Sequence, residues 1–254
     1  MQLTNNDRKI YADLGRARTR RETGLFMAEG TKCVLDTLHH FSVHCLCATA
    51  DWLDRHGHSL PAHIAPVTVK HADLQRMSHL STPPEVVAIY NIPQISINDD
   101  TIDDGLTLLL DCVQDPGNLG TIIRIADWYG IRQIICSPDT VDVWSPKVVQ
   151  STMGAIARVK CIYTPLPDFI KSHPGLPVYG TFLDGDNIYS EALPVKAMIV
   201  MGNEGHGISP EVGACVSRRI LIPSYPPGEA TSESLNVGMA TAITLSEFRR
   251  QLLK

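Results

Sequence analysis

The chain has 254 residues, 44% of them apolar and 19% charged, and carries a net charge of −5. That length suits one large domain or two ordinary ones, and the composition is that of a soluble globular protein. No apolar run approaches the ~20 residues that span a bilayer, and a net negative chain is not held to nucleic acid by bulk electrostatics, so any such contact needs a local patch.

The N-terminal stretch MQLTNNDRKIYADLG lacks the apolar core of a secretion signal, which predicts a cytoplasmic protein. Residues 8–21, RKIYADLGRARTRR, are a candidate patch, or else a solvated helix face. Thr31 is placed to cap a helix whose apolar side includes Val34, Leu35 and Leu38. Strand-like SVHCLCATA, helix-like ADWLDRHG, strand-like IAPVTV, helix-like KHADLQRMSHL and then EVVAIYNI follow. This alternation predicts a small α/β domain over residues 1–95.

Within that domain, HHFSVHCLC raises two readings. His44, Cys45 and Cys47 are either metal ligands or part of a buried strand in which Cys acts as a small hydrophobe. No second ligand pair follows at finger spacing. The seven cysteines are an odd number with no C-x-x-C among them, so neither a zinc ribbon nor a disulfide framework is expected.

Residues 96–105 are polar and acidic and read as a linker. A second domain is expected over 106–254. It starts with LTLLLDCV, a continuous apolar run suited to a parallel strand buried on both faces. Helix LGTIIRIADWYG, strand RQIICS and helix SPKVVQSTMGAIARV come next, the last with Ser145 as N-cap and Pro146 at its first position. Strands PVYGTFL, AMIVM and RRILIPSY lead to the closing helix SLNVGMATAITLSEFRRQLL. That helix is apolar on more than one side, which predicts burial against a second copy of the chain.

Three loops follow strands of this domain: DPGNLG, GNEGHG and PSYPPGEATSESLN. In open parallel sheets, ligands collect beyond the carboxyl ends of strands. The order G-x-x-G-x-G, late in the chain, does not match the dinucleotide fingerprint, and no G-K-[ST] phosphate loop occurs. Gly202, Gly205 and Gly207 permit close main-chain approach to a flat ligand such as adenine, or simply form a tight turn. Taken singly, Asn118 and Ser234 read as N-caps and Arg124 as an arginine snorkelling over apolar neighbours.

Together these features are specific. N-x-G-x-x-x-R after one buried strand, G-N-E-G-x-G after another, then I-P and S-L-N-V opening the last helix resemble the three motifs of the SpoU/TrmH family. Its members are RNA ribose 2′-O-methyltransferases of the SPOUT class. The resemblance covers residues 106–250, and GLFMAEGTKCVLDTL is similar to the RNA-binding domain that many members carry ahead of the catalytic one. It implies an α/β fold whose C-terminal, mostly parallel sheet holds a deep trefoil knot, preceded by a small α/β RNA-binding domain. It also implies S-adenosylmethionine as cofactor without any metal, structured RNA as substrate (rRNA before tRNA), and a homodimer through the C-terminal domain with a shared site.

Carried over by motif, the catalytic set is Asn118, Arg124, Glu204, Ser234 and Asn236, and the cofactor contacts are Thr181, Gly202, Ile222 and Leu235. Arg124 is then expected to face the reaction site. A guanidinium stays protonated at working pH, so anchoring a phosphate or stabilising an alkoxide suits it better than accepting a proton. The stretch SYPPGEATSE is longer than the corresponding family loop, which predicts an altered pocket rim. A non-catalytic RNA-binding protein on the same scaffold is the alternative, and it has no need of the five polar residues together.

Overall fold

The computed structural model describes residues 3–227, 229 and 231–253. It divides into two compact units, one formed by residues 1–94 with 142–157 and the other by 95–141 with 158–254.

In the first unit, β1 (Leu25–Glu29), β2 (Val43–Ala48), β3 (Val67–Thr68) and β4 (Val86–Asn91) form a sheet of order β1-β4-β2-β3. Its helices are α1 (Asn5–Asp13), α2 (Ala17–Thr23), α3 (Thr31–Thr37), α4 (Ala50–His56) and α5 (His71–Met77). The period-2 pleat sorts the side chains. Leu25, Met27, Cys45 and Cys47 pack with Tyr11, Leu14, Leu74 and Met77. Phe26 instead meets Tyr90 and Trp144, with ring centroids 5.2 and 4.5 Å away. The buried-strand description therefore fits Cys45 and Cys47, whose sulfurs lie 3.6 Å apart. No cluster of three or more metal-ligating side chains occurs among the described residues.

Two sequence expectations change here. Gly30, at φ 83, precedes α3, and the Thr31 hydroxyl does not cap it but accepts from Trp52 Nε1 at 2.9 Å. The basic segment is also not uniformly solvated. Arg20 is 3% exposed, its Nε donates to Asp142 at 2.9 Å, and its Nη1 donates to the Leu14 carbonyl at 2.6 Å. Arg16 and Arg18 are exposed, paired with Asp13 and Glu22.

The second unit opens with α6 (Asp99–Asp103), inside the segment expected to be a linker. Ile102 is fully buried there and the Asn98 N–H donates to Gln133 Oε1 at 2.9 Å, so residues 96–105 belong to this unit. Next come β5 (Leu106–Leu110), α7 (Pro116–Trp128) and β6 (Gln133–Cys136). The chain then contributes residues 142–157, with α8 (Pro146–Ser151), to the first unit. That helix stops early because Met153 and Gly154 take left-handed φ values of 49 and 90. Ser145 sits at its N-cap position without a side-chain cap hydrogen bond.

Back in the second unit come β7 (Lys160–Tyr163), α9 (Leu166–Ser172), β8 (Val178–Asn187), β9 (Ala197–Met201), α10 (Pro210–Gly213), β10 (Arg218–Leu221) and α11 (Val237–Arg250). The six strands form a parallel sheet of order β10-β8-β9-β5-β6-β7. β5 and β9 are adjacent, in the middle, and buried along their whole length. Their carboxyl ends therefore release the loops 111–115 and 202–209 side by side, at the edge where open parallel sheets bind ligands. β8 pairs with β10 at Tyr179 and Gly180, breaks register, and pairs again at Asp186 and Asn187. No helix among the described residues is long and apolar enough to cross a membrane.

Candidate active site

A cleft of about 430 Å³ opens in the second unit. All four residues assigned to the cofactor, Thr181, Gly202, Ile222 and Leu235, line it, as do Glu204 and Ser234. One wall is the loop after β9. A Cβ on Gly202 would fall 2.2 Å from the Gly207 carbonyl carbon, so only glycine lets the two arms of this loop touch. The arms are joined by reciprocal main-chain bonds between Asn203 and Gly207, at 2.9 and 3.0 Å, and Gly207 takes φ 70.

Beside the cleft, three side chains form one hydrogen-bonded chain. Asn118 Nδ2 donates to Glu204 Oε1 at 2.9 Å, and Asn236 Nδ2 donates to Asn118 Oδ1 at 2.9 Å. Asn236 Oδ1 accepts from the N–H groups of Gly238 and Met239 at 2.9 and 3.3 Å, capping α11. Chemistry fixes the polarity from both ends. A carboxylate only accepts, so Asn118 must turn its NH2 to Glu204; the helix N-terminus only donates, so Asn236 must turn its oxygen to α11. Between them the two amides have a single consistent orientation. The Gln114 and Asp115 N–H groups also approach the Glu204 carboxylate, both at 3.4 Å.

Asn118 is free for this role because it is not the cap of α7. Asp115 is the cap, accepting from the Asn118 N–H at 2.9 Å, and Pro116 occupies the first helical position. Ser234 likewise lies outside α11, and the capping residue there is Asn236.

Arg124 stands apart from the other assigned residues. It is exposed on α7, does not line the cleft, and makes no hydrogen bond or ion pair among the described residues. One turn further on, Trp128 is 85% exposed. α7 packs on α11, where Met239 is 58% exposed.

Three residues at the site are not among the assigned set: Asn203, which lies inside the G-N-E-G-x-G motif, and Asp111 and Cys112, which carry no motif signal. Asn203 Nδ2 donates to the Cys112 carbonyl at 2.7 Å, and the Ser209 N–H donates to Asp111 Oδ2 at 2.6 Å. Asp111, nearly buried at the end of the apolar run of β5, is the detectable one, because a carboxylate there needs a donor.

Comparison with known proteins gives concordant matches. Residues 105–246 match the SpoU rRNA Methylase family, and residues 5–88 match an MRM3-like substrate binding domain. The chain is 31% identical over 176 residues to the 23S rRNA (guanosine-2′-O)-methyltransferase RlmP of Bacillus subtilis, covering 68% of each chain. Among solved structures, a TrmH-family protein from Porphyromonas gingivalis superposes with a TM-score of 0.87 at 40% identity, over 98% of this chain and 99% of that one. An AdoMet-bound rRNA methyltransferase from Sinorhizobium meliloti superposes with a TM-score of 0.86 at 29% identity, over 100% and 99% of the two chains.

Proposed function

This chain belongs to the SpoU rRNA methylase family, and from that premise we propose that it methylates the ribose 2′-hydroxyl of a nucleotide in rRNA, using S-adenosylmethionine. The observation that carries the reading is the convergence of three sequence-distant loops. Glu204, Asn118 and Asn236 form one hydrogen-bonded chain beside a cleft lined by the residues assigned to the cofactor.

The cleft suits the cofactor. Its volume falls in the ~300–1,000 Å³ range of small-molecule sites, and the contact between Gly202 and Gly207 leaves main-chain groups open to a flat adenine. Thr181, Gly202, Ile222 and Leu235 would hold it. When bound, it supplies an electrophilic methyl group on a sulfonium.

The protein's own part is positioning and charge. The Glu204–Asn118–Asn236 chain ties the three loops into one frame, so the cleft keeps its shape as substrate arrives. Ser234, at the cleft rim, presents a hydroxyl to polar groups of the substrate ribose. Arg124 anchors a phosphate next to the reacting ribose and stabilises negative charge as it develops on the 2′-oxygen. Because Arg124 does not line the cleft of its own chain, it acts at the cleft of a second copy. The exposed Trp128 and Met239 give that copy an apolar surface to cover, making the protein a homodimer through its C-terminal domain.

The broken register between β8 and β10 supports a deep trefoil knot in the closing strands. Close to that break, a Cβ on Gly185 would lie 2.6 Å from the Ile220 main chain. The first unit would supply RNA affinity, with exposed Arg16, Arg18 and Arg21 contributing and buried Arg20 not.

The test is methylation of rRNA with labelled cofactor, followed by alkaline hydrolysis. A 2′-O-methyl group removes the nucleophile that cleaves the adjacent phosphodiester, so label should persist in alkali-resistant dinucleotides. Label recovered in a mononucleotide base, or none transferred to rRNA, would refute the proposal.

A further inference from the structure

Two consecutive residues at the end of β5 hold both ends of the loop that walls the cleft. At one end Asn203 Nδ2 donates to the Cys112 carbonyl at 2.7 Å; at the other the Ser209 N–H donates to Asp111 Oδ2 at 2.6 Å. Neither Asp111 nor Cys112 lines the cleft. Cys112 takes φ 58, a left-handed conformation that residues other than glycine avoid. Its N–H donates to Ser137 Oγ at 2.8 Å, so both of its main-chain polar groups are committed. Asn203 also spans the loop, its Oδ1 accepting from the Gly205 and His206 N–H groups at 2.8 and 3.1 Å. Only its NH2 can face a carbonyl, so its orientation is fixed.

We infer that Asp111 and Cys112 are positioning residues that set the cofactor cleft through Ser209 and Asn203, and that Cys112 serves by its left-handed backbone and not by its thiol. This rests on the cleft being the S-adenosylmethionine site. A backbone held in a sparsely populated conformation persists only where its surroundings require it. Here the conformation aims the Cys112 carbonyl at Asn203, and Asn203 carries the aim into the glycine loop. Asp111 anchors the far end of the same loop. A carboxylate placed there takes a main-chain donor at the N-cap of α10 that would otherwise be orphaned.

The test is calorimetric titration of the full chain with S-adenosylhomocysteine, together with KM and kcat for S-adenosylmethionine. Asn203→Asp keeps the acceptor for Gly205 and His206 but sets an oxygen against the Cys112 carbonyl. Kd and KM should rise about tenfold or more, with kcat at saturation within about twofold. Cys112→Val should weaken binding similarly, since a β-branched side chain resists φ > 0. Cys112→Gly and Cys112→Ser should stay within about threefold of wild-type affinity, the first because glycine adopts this φ freely, the second because it changes only the thiol. Asp111→Ala should weaken binding, and Asp111→Asn, whose amide oxygen can still accept from Ser209, should restore most of it.

Equal weakening by Cys112→Gly and Cys112→Val would overturn the inference, because the side chain would then be what matters. So would wild-type affinity in Asn203→Asp or Cys112→Val. A lower kcat at unchanged KM, moving in step with a lower melting temperature, would also overturn it by showing a role in stability alone. Failure of the wild-type protein to bind S-adenosylhomocysteine would instead remove the cofactor reading on which the inference stands.

Discussion

Gly202→Ala should disable the cofactor cleft. The added Cβ would lie 2.2 Å from the Gly207 carbonyl carbon, 2.4 Å from the Ile208 nitrogen and 2.6 Å from the Gly207 oxygen. Carbon atoms rest at about 3.5–4.0 Å, so the two arms of the loop must part by more than an ångström. Every atom in the way is main chain, and no side chain can swing aside. Opening the arms stretches the two Asn203–Gly207 bonds, now 2.9 and 3.0 Å. At roughly 1 kcal/mol per net hydrogen bond the loss is about 2 kcal/mol. Charged to binding, that is about a thirtyfold rise in the Kd for S-adenosylhomocysteine. Isothermal titration measures it, with thermal melting as a check that the fold survives. Gly175→Ala, away from the cleft, is the internal control: its Cβ would meet nothing within 4 Å, and binding should barely change. If Gly202→Ala binds within twofold of wild type, or if the two variants behave alike, the packing argument for the loop is wrong.

Arg124→Ala should abolish methyl transfer while cofactor affinity stays within about twofold, and Arg124→Lys should be severely impaired because a lysine lacks the planar fork. A silent Arg124→Lys would mean that the side chain only covers apolar surface. Mixing Arg124→Ala protomers with Asn236→Ala protomers should restore activity if the site is shared, and no recovery would place Arg124 at its own cleft. Asn118→Asp should lower activity at least tenfold, since it replaces a charge-assisted bond with two facing carboxylates; turnover at the wild-type rate would show that the Glu204–Asn118 bond is incidental. Arg20→Ala should destabilise the fold by about 1.5–3 kcal/mol, because it removes the charge-assisted bonds to Asp142 and leaves the buried Leu14 carbonyl without its donor, whereas Arg18→Ala should shift stability by less than ~1 kcal/mol and weaken rRNA binding with a shallower salt dependence. Chemical denaturation separates the two arginines, and equal losses of stability would contradict their different burial.

The alternation of strands and helices in the second unit was readable because its strands are nearly pure apolar runs. LTLLL and AMIVM are buried on both faces, so nothing competes with the strand signal. Elements with mixed patterns carry a weaker signal. KCIY, which forms β7, lies beyond a helix expected to reach Val159, and only the left-handed turn at Met153 and Gly154 ends that helix early. LFMAE forms β1 although it ends in a glutamate, because Glu29 is buried with Ser78 Oγ and the His79 N–H as donors. Those partners lie some fifty residues away and leave no local trace. The same holds for Arg20, whose burial depends on Asp142. At the site, Asn118, Glu204 and Asn236 are marked only by the resemblance of the three motifs, taken together, to the family. That they form one chain of fixed polarity depends on β5 and β9 being neighbours, which no single segment encodes.

The contribution of residues 142–157 to the first unit bears on how the protein is made. As the chain emerges from N- to C-terminus, the first ninety-odd residues can pack one face of their sheet but not complete the other. Phe26 waits for Trp144 and Arg20 for Asp142, and by then β5, α7 and β6 have already been synthesised. The natural order of completion is therefore interleaved, with the earlier unit finished only after the later one has begun. Cutting the gene at the apparent linker would yield an N-terminal fragment with a buried arginine facing no acid and an aromatic face open to water. A fragment built to study RNA binding alone would need residues 142–157 grafted back onto it.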